Sequence, residues 1–326
     1  MPLIPMYQCL REAERGGYGV GAFNVNNMEQ IQGIMQAARE LRSPVILQAS
    51  RGALKYTNLV YLRHLVAAAV EENPDIPIVL HLDHGDSLET VKTAIGLGFT
   101  SVMIDGSHFE FEKNVALSRE VVEYAHDRGV SVEAELGTLG GIEEDVAGEV
   151  QLTDPDQAEE FVARVGCDSL AVAIGTSHGA YKFKAEPKLA LDLIGEIYRR
   201  VRIPLVMHGS SSVPPELVAR INRYGGRIEH SFGVPIESIQ AGIASGVRKI
   251  NVDTDIRLAM TGAVRQVLAE SPERFDPRDY LASARDAVYE VVAARMRAFG
   301  SAGHADDYRP ITLADMQAHY RAAARR

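Results

Sequence analysis

Eight short runs of apolar and β-branched residues, separated by stretches with helical spacing, constrain this 326-residue chain more than any other feature. The runs are GVGAFNV (19–25), PVILQAS (44–50), PIVLHLDH (77–84), TSVMIDG (100–106), VSVEAEL (130–136), DSLAVAIGTSH (168–178), IPLVMHG (203–209) and VRKINVD (247–253). Strands that alternate with helices pair in parallel through βαβ crossovers, and eight such units predict a closed (β/α)8 TIM barrel of the α/β class. Several of the helical stretches stop at Gly or shortly before Pro, as helix ends do. From about 255 the pattern is helical only, IRLAMTGAVRQVLAE and then PRDYLASARDAVYEVVAARMRAF, followed by a polar tail. The expected division is a barrel over 1–255 and a helical extension over 256–326, packed on the barrel and placed at a subunit contact.

Composition narrows the function. A net charge of -10 and the lack of any Lys/Arg block leave no basic face for a nucleic-acid backbone. No run of 18 apolar residues and no basic-then-apolar leader can be read, so neither a membrane span nor an export signal is expected. Cys9 and Cys167 stand far apart without a CxxC partner, which fits a reducing cytoplasm and excludes a thiolate zinc site.

Active sites of such barrels sit at the C-terminal ends of the strands. In chain order those ends carry Asn24, Ser50, Asp83 with His84, Asp105, Glu135, His178, His208, and Asn251 with Asp253. Three histidines in one strand-end phase, His84, His178 and His208, match the three-ligand, open-position pattern of a catalytic zinc site. Asp105 and Glu135 are oxygen donors for a second cation position or ordinary hydrogen-bond acceptors. His81 shares the parity of Asp83 and is expected deeper in the barrel, as a core or supporting residue. Small residues in HGSSS (208–212) and NVDTD (251–255) leave backbone N–H groups open to a phosphate, where barrels often bind one. Gly179 and Lys182 would add a close backbone approach and a positive charge. The longest irregular stretch, LGTLGGIEEDVAGEVQLTD (136–154), reads as a surface loop or as a lid carrying a proton-transfer group.

In sequence order the motifs HLDHGD, VEAELGTLGGIEED, GTSHGAYK, VMHGSSSVP, VRKINVDTD and FDPRDYL resemble those of the metal-dependent class II fructose-bisphosphate aldolases. The HGSSSVP form, with GSAG near 300, resembles the branch of bacterial Calvin-cycle operons and its glycolytic relatives. The resemblance implies zinc on His84, His178 and His208, with Asp83 as acid/base at the substrate C4 oxygen. It implies a second cation region at Asp105 and Glu135, and a cradle for the dihydroxyacetone-phosphate end at Gly179, Gly209, Ser211, Asp253 and Thr254. Asn251 would contact the three-carbon fragment, and Asn24 and Ser50 the substrate's polar groups. Glu143, or its neighbour Glu144, would exchange the carbon-bound proton, and Arg278 would reach the distal phosphate of a partner subunit, requiring at least a homodimer. Tagatose or sedoheptulose bisphosphate would suit the same family. Rival readings are a Schiff-base aldolase using Lys249, whose parity is that of Asn251, a zinc hydrolase, and a sugar-phosphate-binding barrel without turnover.

Overall fold

A computed structural model describes residues 3–143, 146–147, 151–179, 187, 189–229 and 232–324. Eleven strands are present among them: β1 (Val20–Asn24), β2 (Val45–Ser50), β3 (Ile78–Gly85), β4 (Ser101–Ile104), β5 (Ser131–Leu136), β6 (Gly140–Glu143), β7 (Val146–Ala147), β8 (Ser169–Val172), β9 (Ser177–His178), β10 (Leu205–Met207) and β11 (Val247–Val252). Eight of them close a parallel barrel in the order β1-β2-β3-β4-β5-β8-β10-β11. The predicted barrel is therefore the one observed. The sixth predicted run divides in two, because the barrel strand β8 ends at Val172 and β9 joins β6 and β7 in a separate small sheet.

Side-chain alternation sorts each strand into an outer and an inner set. The outer set, including Phe23, Leu47, Leu80, Val102, Val132, Leu170 and Ile250, is buried in one hydrophobic cluster with the surrounding helices. The inner set is layered. At the bottom, Val20, Ala22, Ile46 and Val79 pack against Ile4, Met6, Leu10 and Ala13, so the N-terminal helix Met6–Gly16 closes that end. Higher up, Met103, Ala171 and Val206 form a small apolar cluster of their own.

Polar caps start several helices immediately after the strands, and this shapes the opposite rim. Asn27 accepts from Gln30 N, Ser50 from Ala53 N, and Ser87 from Thr90 N, each satisfying a first-turn N–H. Beyond β11 the helix Thr254–Glu270 begins at once. The helix Pro277–Phe299 lies against Met28–Glu40, where a Cβ on Gly33 would stand 2.7 Å from the Arg285 carbonyl oxygen. Its Val288, Val292, Ala293, Met296 and Phe299 belong to the main cluster. The expected polar tail contains a further helix, Leu313–Ala323, anchored by Tyr320, which stacks on His126 and donates to Asp168.

Candidate active site and metal centre

The geometry of the rim begins at the end of β3. Register with β2 places Ser50 beside Asp83, and alternation alone would turn His84 outward. The pairing of β3 with β4 instead shifts between Leu82 and Gly85, and His84 adopts a left-handed φ of 49°. Such a bulge re-aims a side chain. Gly85 permits it, since a Cβ there would lie 2.4 Å from the Met103 carbonyl oxygen. The imidazole thereby joins Asp83 on the inner rim.

His84, His178 and His208 each offer a ring nitrogen within 4.8 Å of the others. Their rings stand edge to face, with centroids 4.7 to 6.0 Å apart. His84 Nδ1 lies 3.0 Å from Asp105 Oδ2, and His208 Nε2 lies 2.7 Å from Glu133 Oε1. Opposite those bonds, His208 Nδ1 and His84 Nε2 face each other at 2.9 Å. A ring nitrogen beside an ionised carboxylate carries the proton, so the two facing nitrogens both present lone pairs. Two lone pairs meeting in this way, with a ring nitrogen of His178 in the same space, fit a divalent cation, and zinc chemistry in particular. His84, Asp105 and Glu135 make a second group within the same 4.8 Å limit. Burial opposes the charge on Asp105, but hydrogen bonds from His84 and Ser107 hold its carboxyl well below the usual carboxylate range.

Asp83 is buried under three amide donors. Asn24 Nδ2 and Gln48 Nε2 donate to Oδ2, and Asn251 Nδ2 to Oδ1, each at 3.2 Å. Two residues deeper, His81 Nδ1 meets Ser101 Oγ at 2.8 Å. Burial, then the nearby charge of Lys249, pushes its pKa down to about 3, so it is neutral. His81 thus lies in the core, as its parity predicts. Lys249 is fully buried, with Nζ 3.0 Å from Glu133 Oε2, an engagement that opposes the Schiff-base alternative.

A cavity beside Asp83 and His178 is lined by Asn24, Gly179, Gly209, Ser210, Ser211, Asn251, Asp253 and Thr254. At Gly209 the φ is 60° and a Cβ would lie 2.6 Å from the Ser177 carbonyl oxygen, so the tight passage of this loop requires glycine. Ser211 Oγ accepts from Asp253 N, and Asp253 pairs with Arg257. The loop is fixed from behind: Asp255 accepts from Ser212 N and Val213 N and is itself held by the buried Arg295.

Most of the expected site residues therefore share one rim. Ser50 adjoins Asp83 but also caps a helix. Arg278 is different: exposed, ion-paired with Asp276, and not part of this cavity's lining. Lys182 and Glu144 lie outside the described residues, and for Glu143 only the backbone is described. That backbone is informative, because Gly141 pairs with His178 across β6 and β9. Two supporting residues, Gln48 and Glu133, were missed in the sequence; each stands two positions before an identified rim residue, which was the available signal.

Fold and rim define a (β/α)8 barrel with three histidines placed so that they could hold one cation. A family model described as "Fructose-bisphosphate aldolase class-II" matches residues 4–304. The fructose-bisphosphate aldolase of Giardia intestinalis is 62% identical, covering 98% of this chain and 100% of that protein. The plasmid-encoded fructose-bisphosphate aldolase of Cupriavidus necator is 53% identical, with 98% and 100% covered. Among solved structures, the YdjI aldolase from Escherichia coli K12 matches with a TM-score of 0.78 and 32% identity, over 93% of this chain and 100% of that one. The chain belongs to the class II fructose-bisphosphate aldolases, a family of lyases.

Proposed function

We propose that the chain catalyses the reversible aldol cleavage of fructose 1,6-bisphosphate to dihydroxyacetone phosphate and glyceraldehyde 3-phosphate, with zinc on His84, His178 and His208. The observation that carries this reading is the juxtaposition of the three converging imidazoles with a carboxylate, Asp83, held in fixed orientation by three amides. A zinc ion bound there supplies Lewis-acid stabilisation of the negative charge left on the three-carbon fragment, an effect worth several kcal/mol.

The chain's own residues supply the rest. Asp83 takes the proton from the C4 hydroxyl as the C3–C4 bond breaks, and returns it in condensation. Asn251, beside both Asp83 and His208, hydrogen-bonds the oxygen that gains charge. Gly179, Gly209, Ser211, Asp253 and Thr254 cradle the phosphate of the dihydroxyacetone end, helped by the positive end of the helix Thr254–Glu270 and by Lys182. Asn24 and Ser50 bind substrate hydroxyls. Glu143 delivers the proton to the carbon; the pairing of its strand with His178 supports that position. Asp105 and Glu135, with His84, form a second cation position. Arg278 binds the distal phosphate of a partner subunit in a cytoplasmic homodimer or larger homo-oligomer.

The test is cleavage of fructose 1,6-bisphosphate before and after EDTA, with zinc restored and with a borohydride-plus-substrate control. Activity lost to EDTA, recovered with zinc and indifferent to borohydride is expected. Cleavage that survives complete metal removal would overturn the proposal.

A further inference from the structure

We propose that Glu133 is a positioning residue for the metal centre: seated on Lys249, it fixes His208 in the tautomer that presents Nδ1 to the cation. This rests on the reading of the three histidines as a cation site. Glu133 and Lys249 are both 0% exposed, inside the barrel and below the rim. Lys249 Nζ reaches both carboxylate oxygens, Oε2 at 3.0 Å and Oε1 at 3.3 Å, while Oε1 also faces His208 Nε2 at 2.7 Å.

The chemistry of the donors leaves one arrangement. A lysine ammonium only donates, so the Glu133 carboxylate beside it is kept ionised and only accepts. His208 Nε2 must then carry the ring hydrogen, and Nδ1 must be the lone pair. One other neighbour of Nδ1 agrees: Asn251 Nδ2, a donor, stands 3.2 Å away, while His84 Nε2 at 2.9 Å turns a second lone pair to the same point. An ion pair this deep is costly to bury, and replacing such pairs by apolar side chains is often neutral or stabilising. Its place directly behind one imidazole of the triad supplies a reason for it beyond stability.

The variants that test this are Glu133→Gln, Lys249→Met and the two combined, read by zinc affinity in chelator competition and by the His208 tautomer from nitrogen NMR of the metal-free protein. In Glu133→Gln, Lys249 captures the single amide oxygen and the amide N–H groups face His208 Nε2. The ring is driven to the Nδ1–H form, and zinc binding weakens by roughly 10- to 100-fold, the usual effect of losing such a supporting carboxylate. Removing Lys249 as well lets the glutamine turn its oxygen to His208, so the double variant binds zinc more tightly than Glu133→Gln alone. A purely structural role predicts the opposite order, with the double variant equal or worse. If Glu133→Gln does not fold, the double variant carries the test through the His208 tautomer, which stays Nε2–H because the glutamine oxygen accepts there; an Nδ1–H ring in the double variant would overturn the assignment. Unchanged affinity and tautomer in Glu133→Gln, or no recovery in the double variant, would overturn the assignment of Glu133. Failure of the wild-type protein to bind zinc would instead overturn the reading of the three histidines.

Discussion

Asp83→Asn keeps the size and shape of the side chain but removes its ability to take a proton, and the surrounding amides decide how well the protein bears the change. The new amide nitrogen must face one of two donor sets. Turned towards Asn24 and Gln48 it opposes two N–H groups; turned towards Asn251 it opposes one. Asn251 Nδ2 keeps a second acceptor in His208 Nδ1, 3.2 Å away. The second orientation therefore wins, and the stability cost is that of one buried unsatisfied donor, roughly 1–3 kcal/mol. The fold and the zinc should be retained. Loss of the proton acceptor should lower kcat for cleavage by about 10²- to 10⁴-fold, or about 3–5 kcal/mol in the barrier. The assay is triose phosphate release at saturating substrate, with zinc content measured on the same sample. Proton exchange on dihydroxyacetone phosphate, which does not use the C4 hydroxyl, should stay within about tenfold of wild type. Cleavage within that same factor with zinc bound, or equal collapse of cleavage and exchange, would refute the role given to Asp83.

Two further substitutions probe β6 and the core. Glu143→Ala should abolish proton exchange on dihydroxyacetone phosphate while zinc content is retained; unchanged exchange would transfer the role to Glu144. His81 has its folded pKa depressed to about 3 from an unfolded value of 6.5, so between those limits the unfolded chain binds a proton that the native one does not. Stability from this group is present above pH 6.5 and is lost as pH falls, by about 1.4 kcal/mol per pH unit. In urea unfolding of the metal-free protein between pH 6 and 4, His81→Gln should remove close to one proton's worth of that slope. An unaltered slope would mean that His81 is not held neutral in the native state.

The barrel and most of its rim were legible because both follow from local rules. Period-two alternation identifies which residue of a strand faces inward, except at His84, which the register shift after Leu82 re-aims, and chain order alone says which end of the strand is the rim. Where a feature depends on non-local partners, the sequence pattern misled or fell silent. The run 168–178 reads as one strand because Ala171 to Ile174 are continuously apolar, yet Ala173 and Ile174 leave the barrel to bond with Thr153 and Ala190. His178 then arrives on a strand of another sheet. The N-terminal helix carried a readable period, with Met6, Cys9, Leu10 and Ala13 all buried, but a preceding proline-rich start obscured it. Parity made Glu133 and Lys249 both inward; that they meet each other across the barrel is a property of closure, which no single strand encodes.

One helix ties the proposed phosphate cradle to the residue assigned to the opposite end of the substrate. Arg295, in the last turns of Pro277–Phe299, holds Asp255 and through it the backbone of Ser212 and Val213. Arg278 is in the first turn of the same helix, about 25 Å away at 1.5 Å per residue, and its guanidinium is exposed beside Asp276. A residue displaced so far along the helix from its own cradle is better placed to serve a neighbouring subunit, and subunit exchange decides the matter. Arg278→Ala should raise KM for the bisphosphate more than it impairs exchange on dihydroxyacetone phosphate, and Asp83→Asn should be nearly inactive. If Arg278 acts across a two-fold interface, each hybrid dimer of the two variants has one site with both defects and one site with neither. Random mixing should then restore roughly a quarter of wild-type cleavage at low substrate concentration, since half the dimers are hybrid and each has one intact site of two. Activity that stays at the average of the separate variants after verified exchange would place Arg278 in its own subunit's site, or outside the site altogether.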